Sequence, residues 1–247
     1  MGAMRLRRGR PPAHPSRRGA GAAVVTLAAA AVLGGCSSSA PLSPPTGVDL
    51  LTVPTPTPDP DDFVGRVDNP WFPLEPGGVA TLAAPTTPTG AQGPGLEVTR
   101  SVSAGPDVAG VPTTALTTVT TDRGAGGGRV VDLFAQDVDG NVWWMASAGG
   151  GLDFEAGVDG AEAGLWMPAQ PRYGDGWLAV GGTAGTPVVV TVLAVDQDLA
   201  RPGGSSDDVV VLQVESGIGT RVDSYAPGEG LVRSDAGKDE VVLTGVG

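Results

Sequence analysis

"VVVTVLAV", residues 188–195, is the stretch on which the fold turns. Its β-branched residues favour a strand, and seven apolar side chains in eight positions leave neither face for water. A strand apolar on both faces must be covered twice, and helices are the usual cover. Elsewhere no run of useful length carries a 3.6-residue apolar period, so no helix is expected to supply it. The sheet is therefore expected to curl upon itself. The reading is all-β: a single antiparallel meander domain, a barrel or half-barrel, with a β-sandwich as the alternative.

Further short runs of Val, Thr and Leu, punctuated by Gly, Pro and Asp, predict strands over residues 79–83, 96–103, 113–121, 129–136, 141–146, 208–215, 220–225, 230–234 and 240–244. In one of them Arg221, Asp223 and Tyr225 alternate with Val222, Ser224 and Ala226, so the two sets face opposite sides. The glycine cluster at residues 124–128 reads as a flexible hairpin loop. No second domain boundary is evident, and residues 63–247 are long enough for one domain with its own core.

"FAQDVDGNVWW", residues 134–144, is the clearest local signal. Asp139 and Gly140 between alternating runs spell a hairpin turn, because Gly accepts positive φ and Asp bonds the neighbouring backbone. Asp137, Asp139 and Asn141 share the one-residue gaps of a calcium loop. The closing acidic ligand is missing and Gly140 comes too early, so the plain hairpin is preferred and no metal is assigned. Trp143 and Trp144 are neighbours and must point to opposite faces of a strand.

With Trp71, Phe72, Phe154, Trp166 and Trp177, these two tryptophans hold most of the aromatic surface of the chain. Trp71, Phe72, Trp143, Trp144 and Trp166 are the candidates to line an apolar pocket for a lipid or another hydrophobic small molecule; a purely structural core is the other reading. "DNPWFPLEPGG", residues 68–78, is held extended by Pro70, Pro73 and Pro76. It reads as a staple closing one end of the sheet or as a docking motif for a protein partner. Asp153, Glu155, Asp159 and Glu162 form an acidic cluster. Paired carboxylates can hydrolyse glycosides, but in so acidic a chain such a cluster reads first as a solvated face. No catalytic residue, cofactor or enzymatic activity is assigned.

The N-terminus carries a different message. Arg5, Arg7, Arg8, Arg10, Arg17 and Arg18 precede an alanine-rich apolar run over residues 20–33, the pattern of a secretory signal and too short for a convincing span. Leu33, Gly34, Gly35 and Cys36 resemble a bacterial lipobox. That resemblance implies cleavage after Gly35, so residues 1–35 are a signal peptide and Cys36, the one cysteine of the chain, is the site of lipid attachment. Residues 36–62, including "PTPTPDPDD", read as a lipidated, disordered, proline-rich tether. The expected location is the outer, extracytoplasmic face of the cell membrane, reached through a di- or triacyl anchor.

Six of the 15 basic residues and none of the 27 acidic ones lie in that leader, so the remainder carries nine against 27, a net of about −18. Such a surface argues against nucleic acid as a partner. The sole histidine, His14, is also in the leader. Imidazole- and thiol-based catalysis and His or Cys metal sites are then outside the chemistry of the mature chain.

"NPWFPLEPG", "FAQDVDGNVWW", "EAGVDGAEAGLWMPAQP" and "YAPGEGLV" appear in this order and resemble the landmarks of a family of uncharacterised, chiefly actinobacterial secreted proteins and lipoproteins. The resemblance implies an all-β extracytoplasmic domain and carries over no catalytic residue. The chain departs from that pattern at Val79, Ala80, Thr81 and Leu82, where aromatics are expected, and after "YGDG" at residues 173–176. A broader analogy is to envelope lipoproteins that hold acyl chains in a curved sheet. Replacing the acylated residue tests the anchor: Cys36→Ala is expected to release the protein from membranes or to block its maturation, read by fractionation and intact mass, and unchanged membrane retention would refute it.

Overall fold

The computed structural model describes residues 59–85, 95–122, 126–180, 187–237 and 239–247. The leader, Cys36 and the tether up to residue 58 lie outside them. Among the described residues no helix is long and apolar enough to cross a membrane. Within the described residues a single 3-10 turn, Pro60–Asp62, precedes fourteen strands.

They are β1 (Phe63–Val64), β2 (Val79–Ala83), β3 (Leu96–Ala104), β4 (Thr114–Asp122), β5 (Gly126–Asp137), β6 (Val142–Ala148) and β7 (Phe154–Glu155). Then follow β8 (Gly164–Met167), β9 (Gly176–Val180), β10 (Val188–Arg201), β11 (Gly204–Ser216), β12 (Gly219–Ala226), β13 (Gly230–Asp235) and β14 (Glu240–Val246). All belong to one antiparallel sheet in the order β7-β6-β5-β4-β3-β2-β14-β13-β12-β11-β10-β9, with β1 added to β5 and β8 to β6. Hairpins therefore account for nearly the whole path. The exception is the β2–β14 ladder, which pairs Leu82 with Leu243 and joins the two runs of hairpins.

The sheet curls as expected but is not closed by hydrogen bonds. At its seam β8, bonded to β6, packs against β9, and an atom placed as Cβ on Gly164 would lie 1.8 Å from the Ala179 carbonyl oxygen. Only a residue without a side chain permits that approach. In β10 the inward Val188, Val190 and Val192 are buried, whereas outward Leu193 is 38% exposed and Val189 and Thr191 are half-buried. The second face of the deciding stretch is thus only partly covered. An antiparallel sheet tolerates one wet face, which is why curling does not need a full outer layer.

Other expectations shift in detail. Of the glycine cluster at residues 124–128, Gly126 to Gly128 are not loop but pair with Asp122, Thr121 and Thr120 as the start of β5, and residues 124 and 125 lie outside the described residues. The segments of β1, β7, β8 and β9 were not recognised as strands, being short or, like "GLWM" and "GWLAV", without an alternating pattern.

The segment before β2 closes one end of the curled sheet. Asn69 is fully buried, donates Nδ2–H to the carbonyls of Gly140 and Pro168 at 3.0 and 3.1 Å, and accepts at Oδ1 from the backbone N–H of Trp71 and Phe72. The Oε1 atom of buried Gln136 on β5 accepts from the N–H groups of both Asp68 and Asn69 at 2.8 Å. These bonds turn the chain so that Phe72 enters the sheet interior, edge-on to Phe134 at 4.9 Å and 6.0 Å from the Tyr225 ring. The Gly228 N–H donates to the Pro70 carbonyl from the other side. The segment is a staple.

The seam yields a direct test. Gly164→Ala must displace β9 or β8, so a loss of roughly 1–3 kcal/mol is expected, several degrees in Tm for a domain of this size. A thermal midpoint unchanged from wild type would show that β8 and β9 do not meet in this way.

Candidate functional site

The concave face of the sheet lines a cavity of about 690 Å³ that opens to solvent. Its walls come from β2 to β6, β8, β10 and β12 to β14, together with the 150–153 loop and the 216–218 turn. Residues on alternating positions of successive strands reach it: Val98 and Arg100 from β3, Leu116, Thr118 and Thr120 from β4, Val130, Asp132 and Phe134 from β5. Such i, i+2 spacing is what the pleat requires for one face.

Two bulges alter that spacing where polar groups are needed. Between the pairs Leu133–Ala146 and Phe134–Trp144 an extra residue, Met145, enters β6. Trp144 and Ser147, three residues apart, consequently both donate to Asp132 Oδ1, at 3.1 and 2.7 Å. An extra Val232 in β13, between the pairs Tyr225–Leu231 and Ser224–Arg233, does the same for Leu231 and Ser234, which both line the cavity. Bulges re-aim side chains without breaking the sheet.

An aromatic group bounds part of the cavity: Phe72, Phe134, Trp144 and Trp166. Trp144 and Trp166 meet edge to face at 5.1 Å, and Phe134 lies 5.9 Å from Trp166. A charged belt runs beside it. Asp223, 2% exposed, accepts from Arg221 Nε at 2.8 Å and from the Ser234 hydroxyl at 2.6 Å. The Arg221 guanidinium also stands 6.0 Å from the Trp166 ring. Arg100 lies over the Phe72 ring at 5.8 Å.

Burial sets the electrostatics of this belt. It pushes the Asp132 carboxyl above the ordinary value, and the hydrogen bonds from Ser147 and Trp144 and the charges of Arg100 and Arg221 offset this only in part. It pushes Arg100 down, against the fields of Tyr225, Asp223 and Asp132. Desolvation is also the largest influence on Arg221, but the charge and hydrogen bond of Asp223 with the fields of Tyr225 and Asp132 together exceed it and hold the guanidinium charge more firmly. The Tyr225 phenol is raised by burial and then by Asp223.

Of the five aromatic candidates, the structure brings Phe72, Trp144 and Trp166 together on the cavity wall and leaves two away from it. Trp143 points to the opposite side from Trp144, where its Nε1–H donates to Asp137 Oδ2 at 2.8 Å. Trp71 is half-buried against β11, its Nε1–H 3.4 Å from the Asp208 carbonyl oxygen. The calcium-like triplet is a hairpin: Asp137 Oδ1 accepts from the N–H groups of Asp139 and Asn141, Oδ2 accepts from Asn141 Nδ2–H as well as Trp143, and Gly140 turns with φ 91°. Among the described residues no three His, Cys, Asp or Glu side chains are grouped to hold a metal.

Of the acidic cluster only Asp153 lines the cavity; Glu155 and Asp159 are exposed on the surface. Sequence reasoning missed the belt itself. Its signal was present in "LEVTRSVSA", where Arg100 keeps step with Val98 and Val102, and in the alternation of Arg221, Asp223 and Tyr225. Comparison with known proteins finds no matching family model, curated sequence or solved structure.

The raised Asp132 carboxyl makes a pH-dependent prediction. Because its folded-state value lies above the unfolded one, ionisation costs stability. That cost is absent below the ordinary 3.8, grows as pH rises through the window up to the raised value, and is complete above it. Asp132→Asn, neutral throughout, is expected to raise Tm at pH 7 by up to a few degrees and to lose this advantage below pH 3.8. A variant that melts earlier than wild type at neutral pH would contradict the assignment.

Proposed function

We propose that this chain is an exported, lipid-anchored binding protein that shelters a hydrophobic small molecule inside its curled sheet at the outer face of the cell membrane, and that it is not an enzyme. One observation carries the ligand half of this reading: the cavity of about 690 Å³ walled by Phe72, Trp144 and Trp166. Small-molecule sites run from ~300 to ~1,000 Å³ and combine apolar walls with a few convergent polar groups, which is the composition found here. A cavity of this size on the inner face of a domain without disulfides is a liability to stability unless something fills it. The anchoring half rests on the basic and apolar leader and on Cys36.

The competing docking-module reading needs exposed aromatics. The tryptophans are instead buried or, in Trp71, half-buried, which favours an internal ligand. Hydrolysis needs two carboxylates available to a substrate. Asp132 and Asp223 do share the cavity, yet both accept hydrogen bonds from the protein's own donors, which favours binding over catalysis.

Titration with fatty acids or other apolar probes tests the cavity, with Trp144 and Trp166 as internal reporters. Saturable change in tryptophan emission is expected, and Thr118→Trp, which places an indole in the cavity, is expected to weaken binding by about tenfold or more. Absence of any saturable change, together with no small molecule co-purifying by mass spectrometry, would overturn the ligand reading.

A further inference from the structure

The charges around the cavity do not balance pairwise, and the imbalance points to a ligand chemistry. Asp223 and Arg221 satisfy each other, and Asp223 also holds Ser234. Asp132 is satisfied by Trp144 and Ser147. Arg100 has no such counterpart: among the described residues its guanidinium makes no hydrogen bond and no ion pair, although it lines the cavity wall. A guanidinium presents five N–H donors and cannot escape its charge by deprotonating. Half-buried against a phenylalanine ring, its donors are left for water or a bound anion to satisfy.

Neighbouring carboxylates do not cancel the positive site. Asp223 is paired with Arg221, Asp132 Oδ1 is taken up by Trp144 and Ser147, and Asp153 Oδ1 accepts from the Gly149 N–H at the exposed rim, so none of the three is bonded to Arg100.

We infer that the ligand is an apolar molecule bearing one acidic group, a carboxylate or a phosphate, which pairs with Arg100 while the rest of the molecule packs on the aromatic and aliphatic walls. This rests on the ligand-binding reading above and adds its chemical class. A planar guanidinium matches either acid in bidentate fashion, and the low-dielectric enclosure strengthens the pair. The volume takes one acyl chain with a small head group.

The test uses the full chain carrying Cys36→Ala, so that no attached lipid competes, with dodecanoate, dodecanol and dodecyl phosphate as probes of equal chain length. Dodecanoate or dodecyl phosphate, or both, are expected to bind about tenfold or more tightly than dodecanol, and the stronger of the two identifies the acid. Arg100→Gln is expected to abolish the preference for acid over alcohol, and Arg100→Lys to keep part of it. Equal affinity of wild type for acid and alcohol would overturn the assignment to an acidic ligand while leaving the cavity reading intact. Failure of all three probes to bind would instead remove the cavity reading itself. Should Arg100→Gln not fold by circular dichroism, the acid-to-alcohol ratio of the wild-type chain decides alone.

Discussion

Asn69 is the residue on which the interior depends. Its four hydrogen bonds tie together the N-terminal segment, the β5–β6 turn at Gly140 and the β8–β9 connection at Pro168. Gln136 fixes the same segment from β5, and the Asn141 carbonyl oxygen Oδ1 accepts from the Ala169 N–H to bind the turn to the β8–β9 connection. Each bond is worth on the order of 1 kcal/mol when made, and leaving a buried carbonyl unsatisfied costs more. The effect is to aim Phe72 inward, where it meets Phe134, Trp166 and Tyr225. Remove that turn and the curled sheet loses the floor of its cavity.

The same geometry explains why four short sequence segments carry the character of this chain. "NPWFPLEPG" supplies Asn69 and Phe72. "FAQDVDGNVWW" supplies Gln136, Gly140 and Trp144, and "EAGVDGAEAGLWMPAQP" supplies Gly164, Trp166 and Pro168. "YAPGEGLV" supplies Tyr225 and the Gly228 N–H. They converge on one place. The charged belt lies just above, and its residues sit on strands whose register is set by those anchors and by the two bulges.

How much of this was legible from sequence follows the range of the forces involved. The Asp139–Gly140 turn and the opposed faces of Trp143 and Trp144 are local properties of a hairpin and a pleat, and they read directly. The meander reads from the spacing of its hairpins. Which face of a strand points inward is decided by pairing across the sheet, so Arg100 and Asp132 could be placed in phase with apolar neighbours but not inside a cavity. The bulges at Met145 and Val232 were invisible, since an extra residue in one strand has no local marker. Trp71 and Phe72 are adjacent aromatics with the same sequence-level claim to the pocket. The turn imposed by Asn69 sends the two rings in different directions, Trp71 to the outside of β11 and Phe72 to the centre.

The β2–β14 ladder has a kinetic meaning. β2 to β7 and β9 to β14 are two series of local hairpins, and among the described residues the hydrogen-bonded path runs from one series to the other only through the β2–β14 ladder. Long-range pairings of this kind carry the entropy of closing most of the chain, and they form last. Without residues 240–246 the two series can form their hairpins but cannot be joined through this ladder. The hairpins are thus local and early, whereas the continuous sheet is a property of nearly the whole described chain.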